Sequence, residues 1–174
     1  RFDPRRLARA AEMLNEGFER ELYPGGVLWV ARKGITALAV SVGYTDFSRE
    51  IEVDENTLFD LASLTKPVAT ASSILLLCRD GLVHLGQKIG EFFPDSELPH
   101  LRDVTLRQLL THTSGLPASA DLYSRGQTRE QAIADLFEVR TQSEPGAAYE
   151  YSCLGYMLLG LVVEAVTGES LDVF

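Results

Sequence analysis

The stretch Leu58-Phe59-Asp60-Leu61-Ala62-Ser63-Leu64-Thr65-Lys66-Pro67 decides how the rest of this chain is read. A short apolar run delivers the backbone to Ser63, and a long apolar segment follows it. Pro67 is tolerated only near a helix start, because it has no N–H to give and its ring crowds the preceding turn. The helix therefore begins close to Ser63. Ser63 and Lys66, three residues apart, share one face of its first turn. A serine hydroxyl becomes a nucleophile when a base takes its proton, and a lysine held neutral by its surroundings can act as that base. Amides at the helix mouth point back to the same place, where an oxyanion would collect charge. One Ser-x-x-Lys match is about what chance supplies in a chain of this length, so its weight depends on what lies around it.

Downstream, Val68, Ala71, Ile74, Leu75, Leu76, Leu77 and Cys78 leave almost no polar stripe over 68–82. That pattern predicts a helix buried on all sides, with Gly81 ending it. Upstream, Asp3-Pro4 reads as a cap followed by proline at the first helical position. Leu7, Ala11, Leu14, Phe18 and Leu22 then recur on one face, and Pro24-Gly25-Gly26 stops the helix. Residues 27–32 and 35–42 are β-rich and flank Lys33-Gly34, which predicts an antiparallel hairpin. Two strands and one helix do not make a stable sheet layer alone, so this hairpin needs further neighbours. Residues 49–56 and 87–99 read as loops.

Thr105-Leu106-Arg107-Gln108 and Thr128-Arg129-Glu130-Gln131 both have the form of a capping box. The first opens a short helix. The second opens one with Ile133, Leu136 and Phe137 inward. Tyr149-Glu150-Tyr151-Ser152 precedes another helix, expected to bury Leu154, Met157, Leu158, Leu161, Val162 and Ala165 and to close at Thr167-Gly168. Ser170 then caps a helix that has run about one turn at Phe174, the pattern of a chain that belongs to something longer.

With 45% hydrophobic residues in 174, the chain has enough apolar side chains for one packed core. The formal net charge of -9 argues against nucleic acid or an anionic membrane surface as the main partner. No apolar run is long enough to span a bilayer. Compartment and oligomeric state are not legible. Cys78 and Cys153 make no disulfide framework, and no cysteine or histidine stands at metal-ligand spacing, so neither a metal nor a cofactor is expected.

Three motifs in order give Ser63 its weight. Leu61-Ala62-Ser63-Leu64-Thr65-Lys66-Pro67 resembles the nucleophile motif of serine β-lactamase-related proteins. Leu110-Thr111-His112-Thr113-Ser114-Gly115-Leu116-Pro117 resembles that family's characteristic loop. The segment from Pro145 through Tyr149-Glu150-Tyr151-Ser152-Cys153 to Gly160, with Glu164 and Thr167-Gly168 beyond it, is similar to its tyrosine-bearing segment. The nearest branch is that of class C β-lactamases, D-alanyl carboxypeptidases and serine esterases, and the resemblance covers the N-terminal half of such a domain. It implies an α+β, β-lactamase/transpeptidase-like fold, incomplete in this chain. One partial domain over 1–174 would comprise a helix and hairpin of the sheet layer in 1–60 and a helical region in 61–174.

The resemblance makes Ser63 the acylated nucleophile, Lys66 its proton acceptor or electrostatic partner, and Tyr151 the general base that later protonates the leaving group. Free tyrosine and lysine both titrate near ~10. Side by side in a partly buried pocket, the ammonium favours tyrosinate while desolvation disfavours the ammonium, and the sequence leaves open which holds the proton. His112 reads as a structural turn residue and Ser114 as a turn former. Tyr123, in the loop 118–127, is a candidate to border the substrate.

Two departures shape the expectation. Cys153 stands where the family has an asparagine that helps hold a substrate amide, and a thiol is a feeble hydrogen-bond partner. This leans toward ester substrates or a divergent amide binder, and away from an efficient β-lactamase. A Lys/His-Thr-Gly-like motif on a late strand is also absent from 167–174. The reading is a serine hydrolase of small esters or amides. The alternatives are a D-alanyl carboxypeptidase or weak β-lactamase, and a non-catalytic binding module or inactive fragment.

Overall fold

In the computed structural model, residues 2–124 and 126–174 are described; positions 1 and 125, the latter within the loop 118–127, lie outside them. The chain divides into two compact units, residues 1–60 and 61–174.

In the first unit, helix α1 (Pro4–Glu19) starts where Asp3 accepts the Arg5 amide at 2.8 Å and Pro4 takes the first turn. It ends three residues before Leu22, which is exposed rather than part of the buried face. Strands β1 (Gly25–Arg32) and β2 (Ile35–Gly43) pair antiparallel, and α1 packs on both. Lys33 and Gly34 both adopt positive φ, 52° and 76°. Two left-handed residues in a two-residue turn match the right-handed twist of the strands they join. A bulge between Val30 and Ala31 interrupts the register. Among the described residues the sheet has these two strands.

In the second unit, the chain passes through a 3-10 turn (Ala62–Leu64) into a π-helical segment (Lys66–Ala71), then α2 (Ser72–Arg79). The wide turn follows from Pro67, which cannot donate and whose ring would crowd the Ser63 carbonyl in a regular helix. The Ser72 hydroxyl donates to the Pro67 carbonyl at 2.9 Å. The segment is not buried on all sides. Ser73, Ile74 and Leu77 are buried, whereas Val68, Leu75 and Leu76 are exposed, Leu75 at 55%. Composition alone reads such a helix as central, but here Ile74 and Leu77 enter the core while Leu75 and Leu76 face outward.

A single turn, α3 (Ile89–Phe92), stands where the sequence predicts loop. It is held by the Lys88 amide donating to Glu91 and by the Ile89 amide donating to the Val104 carbonyl, both short bonds. Helices α4 (Leu106–Leu110) and α5 (Arg129–Phe137) start at the two capping boxes, with Thr105 and Thr128 accepting the amides of Gln108 and Gln131.

The core is built on α6 (Cys153–Thr167), which packs against the π-helical segment, α2, α3 and α4. Its buried residues are Leu154, Gly155, Leu158, Leu159, Gly160, Val162 and Val163. That face is turned by about one residue from the predicted one. Met157 and Ala165 are exposed, and Leu159 and Val163 replace them. Gly155 packs against Leu109 of α4, close enough that a Cβ there would be in van der Waals contact with it. The Ser152 hydroxyl caps the start by accepting the Gly155 amide, and Gly168 in the left-handed region closes the end.

Candidate active site

Ser63 is exposed on the 3-10 turn, and the residue before it, Ala62, has φ +43°. An alanine in the left-handed region is strained, and such strain persists where the surroundings over-determine the backbone. One turn on, Lys66 donates from Nζ to Ser63 Oγ at 3.4 Å and to Cys153 Sγ at 3.4 Å. The same ammonium lies 4.9 Å from the centre of the Tyr151 ring and 6.0 Å from that of Tyr156. The Tyr151 phenol shares hydrogen bonds with Lys66 and Ser63. Residues 87 apart in sequence thus meet because α6 lays its first turn against the π-helical segment.

The electrostatics follow from this contact. The hydrogen bond to Tyr151 raises the Lys66 pKa above the ordinary lysine value, against the opposing effect of burial. Hydrogen bonds from Lys66 and Ser63, with the charge of Lys66, lower that of the Tyr151 phenol. Each favours the charged form of the other, which stabilises the ammonium at Lys66 and eases ionisation of the phenol.

Of the residues singled out in the sequence, the structure brings Ser63, Lys66, Tyr151 and Cys153 together. Tyr123 stays outside, 77% exposed. Its neighbour Leu122 instead reaches a cavity of about 610 Å³ that opens beside Ser63 and Lys66. The walls of that cavity are mainly apolar, with Ile133 and Leu136 from α5, Met157 and Leu161 from α6, and Leu171.

Two further side chains belong to this place. Tyr156 donates its phenol to the Leu110 carbonyl at 3.1 Å. The His112 ring lies 4.6 Å from that of Tyr151 and 5.1 Å from that of Tyr156. Tyr156 was findable, being three residues after Cys153 and so on its side of the helix. His112 reads locally as a turn residue, and its φ of +57° shows that it is one; its ring contacts carry no sequence signal. Among the described residues no group of His, Cys, Asp or Glu could hold a metal ion, and no helix is long and apolar enough to cross a membrane.

An α+β chain with a serine at a helix mouth and a lysine one turn on has the β-lactamase/transpeptidase-like fold. The chain belongs to the Beta-lactamase family, whose profile matches residues 10–174. It is 30% identical over 196 residues to an N-acetylmuramyl-L-alanine amidase of Bacillus subtilis (strain 168), which covers 99% of this chain and 44% of that protein. Among solved structures it is similar to the octameric penicillin-binding protein homologue from Pyrococcus abyssi, with TM-score 0.81, 26% identity, and coverage of 95% of this chain and 40% of that one. It is likewise similar to EstCE1, a hydrolase with promiscuous acyltransferase activity, with TM-score 0.80, 27% identity, and coverage of 95% and 48%. The chain thus spans less than half the length of these relatives, which are hydrolases or penicillin-binding-like proteins.

Proposed function

We propose that the protein of which these residues form part is a serine hydrolase that cleaves small esters or amides through an acyl-enzyme on Ser63. The observation that carries this reading is the convergence of the Lys66 ammonium on Ser63 Oγ, at 3.4 Å, and on the Tyr151 ring, 4.9 Å from its centre. In the first half-reaction the Tyr151 phenolate takes the Ser63 proton as Oγ attacks the substrate carbonyl. Collapse of the tetrahedral adduct breaks the bond to the leaving group, which receives the proton from Tyr151. In the second, Tyr151 takes a proton from water, hydroxide oxygen attacks the acyl carbon, and Ser63 leaves with the proton. Lys66 remains an ammonium throughout, holding the phenol in its charged form. Residues 61–174 carry this machinery, and 1–174 is read as one partial hydrolase domain.

Cys153 at the Lys66 ammonium is the feature that favours esters. A thiol offers a substrate amide little, where a carboxamide would both donate and accept. The mainly apolar walls of the adjoining cavity suit an apolar acyl group. Similarity to the Bacillus subtilis amidase supports the second reading, an amide bond in cell-wall-type peptides or their β-lactam mimics.

The test is the intact mass of the chain after exposure to a fluorophosphonate and to a penicillin, with Ser63→Ala in parallel. A stoichiometric adduct on the native chain, absent from Ser63→Ala, is expected. No adduct on this folded chain, nor on one extended at its C-terminus, would refute the acyl-enzyme and leave a binding module.

A further inference from the structure

Tyr151 is 40% exposed, and the backbone on both sides of it is tied to one residue. The Glu150 amide donates to the His112 carbonyl at 2.9 Å, and the Ser152 amide donates to His112 Nδ1 at 3.1 Å. The imidazole itself lies against the Tyr151 ring at 4.6 Å, with Tyr156 at 5.1 Å and Tyr149 edge-on at 5.9 Å. We propose that His112 is a positioning residue for Tyr151, setting where the phenol stands beside Ser63 and Lys66, and that only the neutral imidazole can do so. The consequence for reaction rate rests on the reading of Tyr151 as the base; the positioning itself does not.

The chemistry of the ring explains the restriction. Because Nδ1 accepts the Ser152 amide, the proton of the neutral ring sits on Nε2. A second proton would go to Nδ1, placing two donors face to face and breaking the bond. The backbone explains why the residue is a histidine rather than another aromatic. At φ +57°, histidine, asparagine and aspartate are the side chains that most often tolerate the left-handed region. The ionisable groups around the ring are Tyr149 and Tyr151 ahead of α6, Tyr156 on α6 and Lys66 on the π-helical segment, with Cys153 beyond Lys66. Glu150 meets His112 through its backbone amide. Burial and the charge of Lys66 both hold the imidazole neutral, lowering its pKa, so the device is engaged at neutral pH and released in acid.

The experiment is an NMR titration of the chain carrying 13C at tyrosine Cζ and histidine Cε1, with signals assigned through Tyr151→Phe and His112→Asn. Asparagine keeps an acceptor where Nδ1 stands and tolerates the backbone, but it does not titrate. The expected result is a step in the Tyr151 signal at the pH where His112 itself titrates, absent from His112→Asn. Fluorophosphonate labelling of Ser63 should fall about tenfold across that step in the native chain, the effect of one hydrogen bond lost. A native Tyr151 signal with no step, or a step that survives in His112→Asn, overturns the proposal. Because the step is read first in the native chain, a poorly folding variant does not spare it. A step with no labelling at any pH, on this chain or on one extended at its C-terminus, would instead refute the hydrolase reading and leave the positioning intact.

Discussion

Replacing Ser152 with alanine should loosen α6 and the site at its first turn together. The Ser152 side chain is 1% exposed, donates to the Pro117 carbonyl at 2.7 Å and accepts the Gly155 amide at 3.3 Å. Loss of a serine cap costs typically ~1 kcal/mol. Leaving the Pro117 carbonyl without its donor costs about another 1 kcal/mol. Together these make roughly 2 kcal/mol, which corresponds to about a thirtyfold change in an opening equilibrium. Hydrogen exchange of peptides spanning 153–167, followed by mass spectrometry, reads that equilibrium in the second unit without contribution from the first. Exchange there should quicken about thirtyfold in Ser152→Ala. Thr111→Ala, which removes an exposed hydroxyl bonded to the Arg107 carbonyl, should leave it unchanged. Exchange within about threefold of the native chain would refute the claim that this hydroxyl latches the helix start to the 112–118 loop.

Two substitutions probe the charge pair and the thiol. Lys66→Met removes the cation that lowers the Tyr151 pKa, so the phenol should climb back toward ~10. Less phenolate is then present at neutral pH, and the labelling profile of Ser63 should move alkaline; an unmoved profile would exclude Tyr151 as the base that Lys66 tunes. Cys153→Asn supplies a carboxamide beside Lys66. Penicillin acylation should rise relative to fluorophosphonate labelling, and an unchanged ratio would mean that the residue at 153 does not select between amide and ester.

The hairpin was legible because its instructions are local, two β-rich runs around a Lys33-Gly34 turn. The starts of α4, α5 and α6 were legible for the same reason, since each cap accepts an amide three residues on. What the sequence misplaced depends on neighbours. Periodicity announces an apolar helix at 68–82, but not that Leu75 and Leu76 are exposed. It announces α6, but not that Leu159 and Val163 are buried where Met157 and Ala165 are exposed. The single turn α3 exists through a bond from Ile89 to Val104, fifteen positions away, and no local pattern carries that. Within the candidate site, Ser63 and Lys66 stood out through their spacing, and Tyr151 through the family resemblance of its flanking segment. The forty-residue reach from His112 to Ser152 did not.

The π-helical segment between Lys66 and Ala71 holds one residue more than a regular turn would. Each α-helical residue advances the chain by about 100°. Excising Ala69 would let the helix settle into ordinary winding and, with α2 fixed in the core, swing everything ahead of it by roughly that angle. Ser63 and Lys66 would still face each other, three positions apart, but would look away from Tyr151. The surplus residue is thus a phase setting, one extra position that aims one half of the candidate site at the other while leaving the helix behind it free to pack.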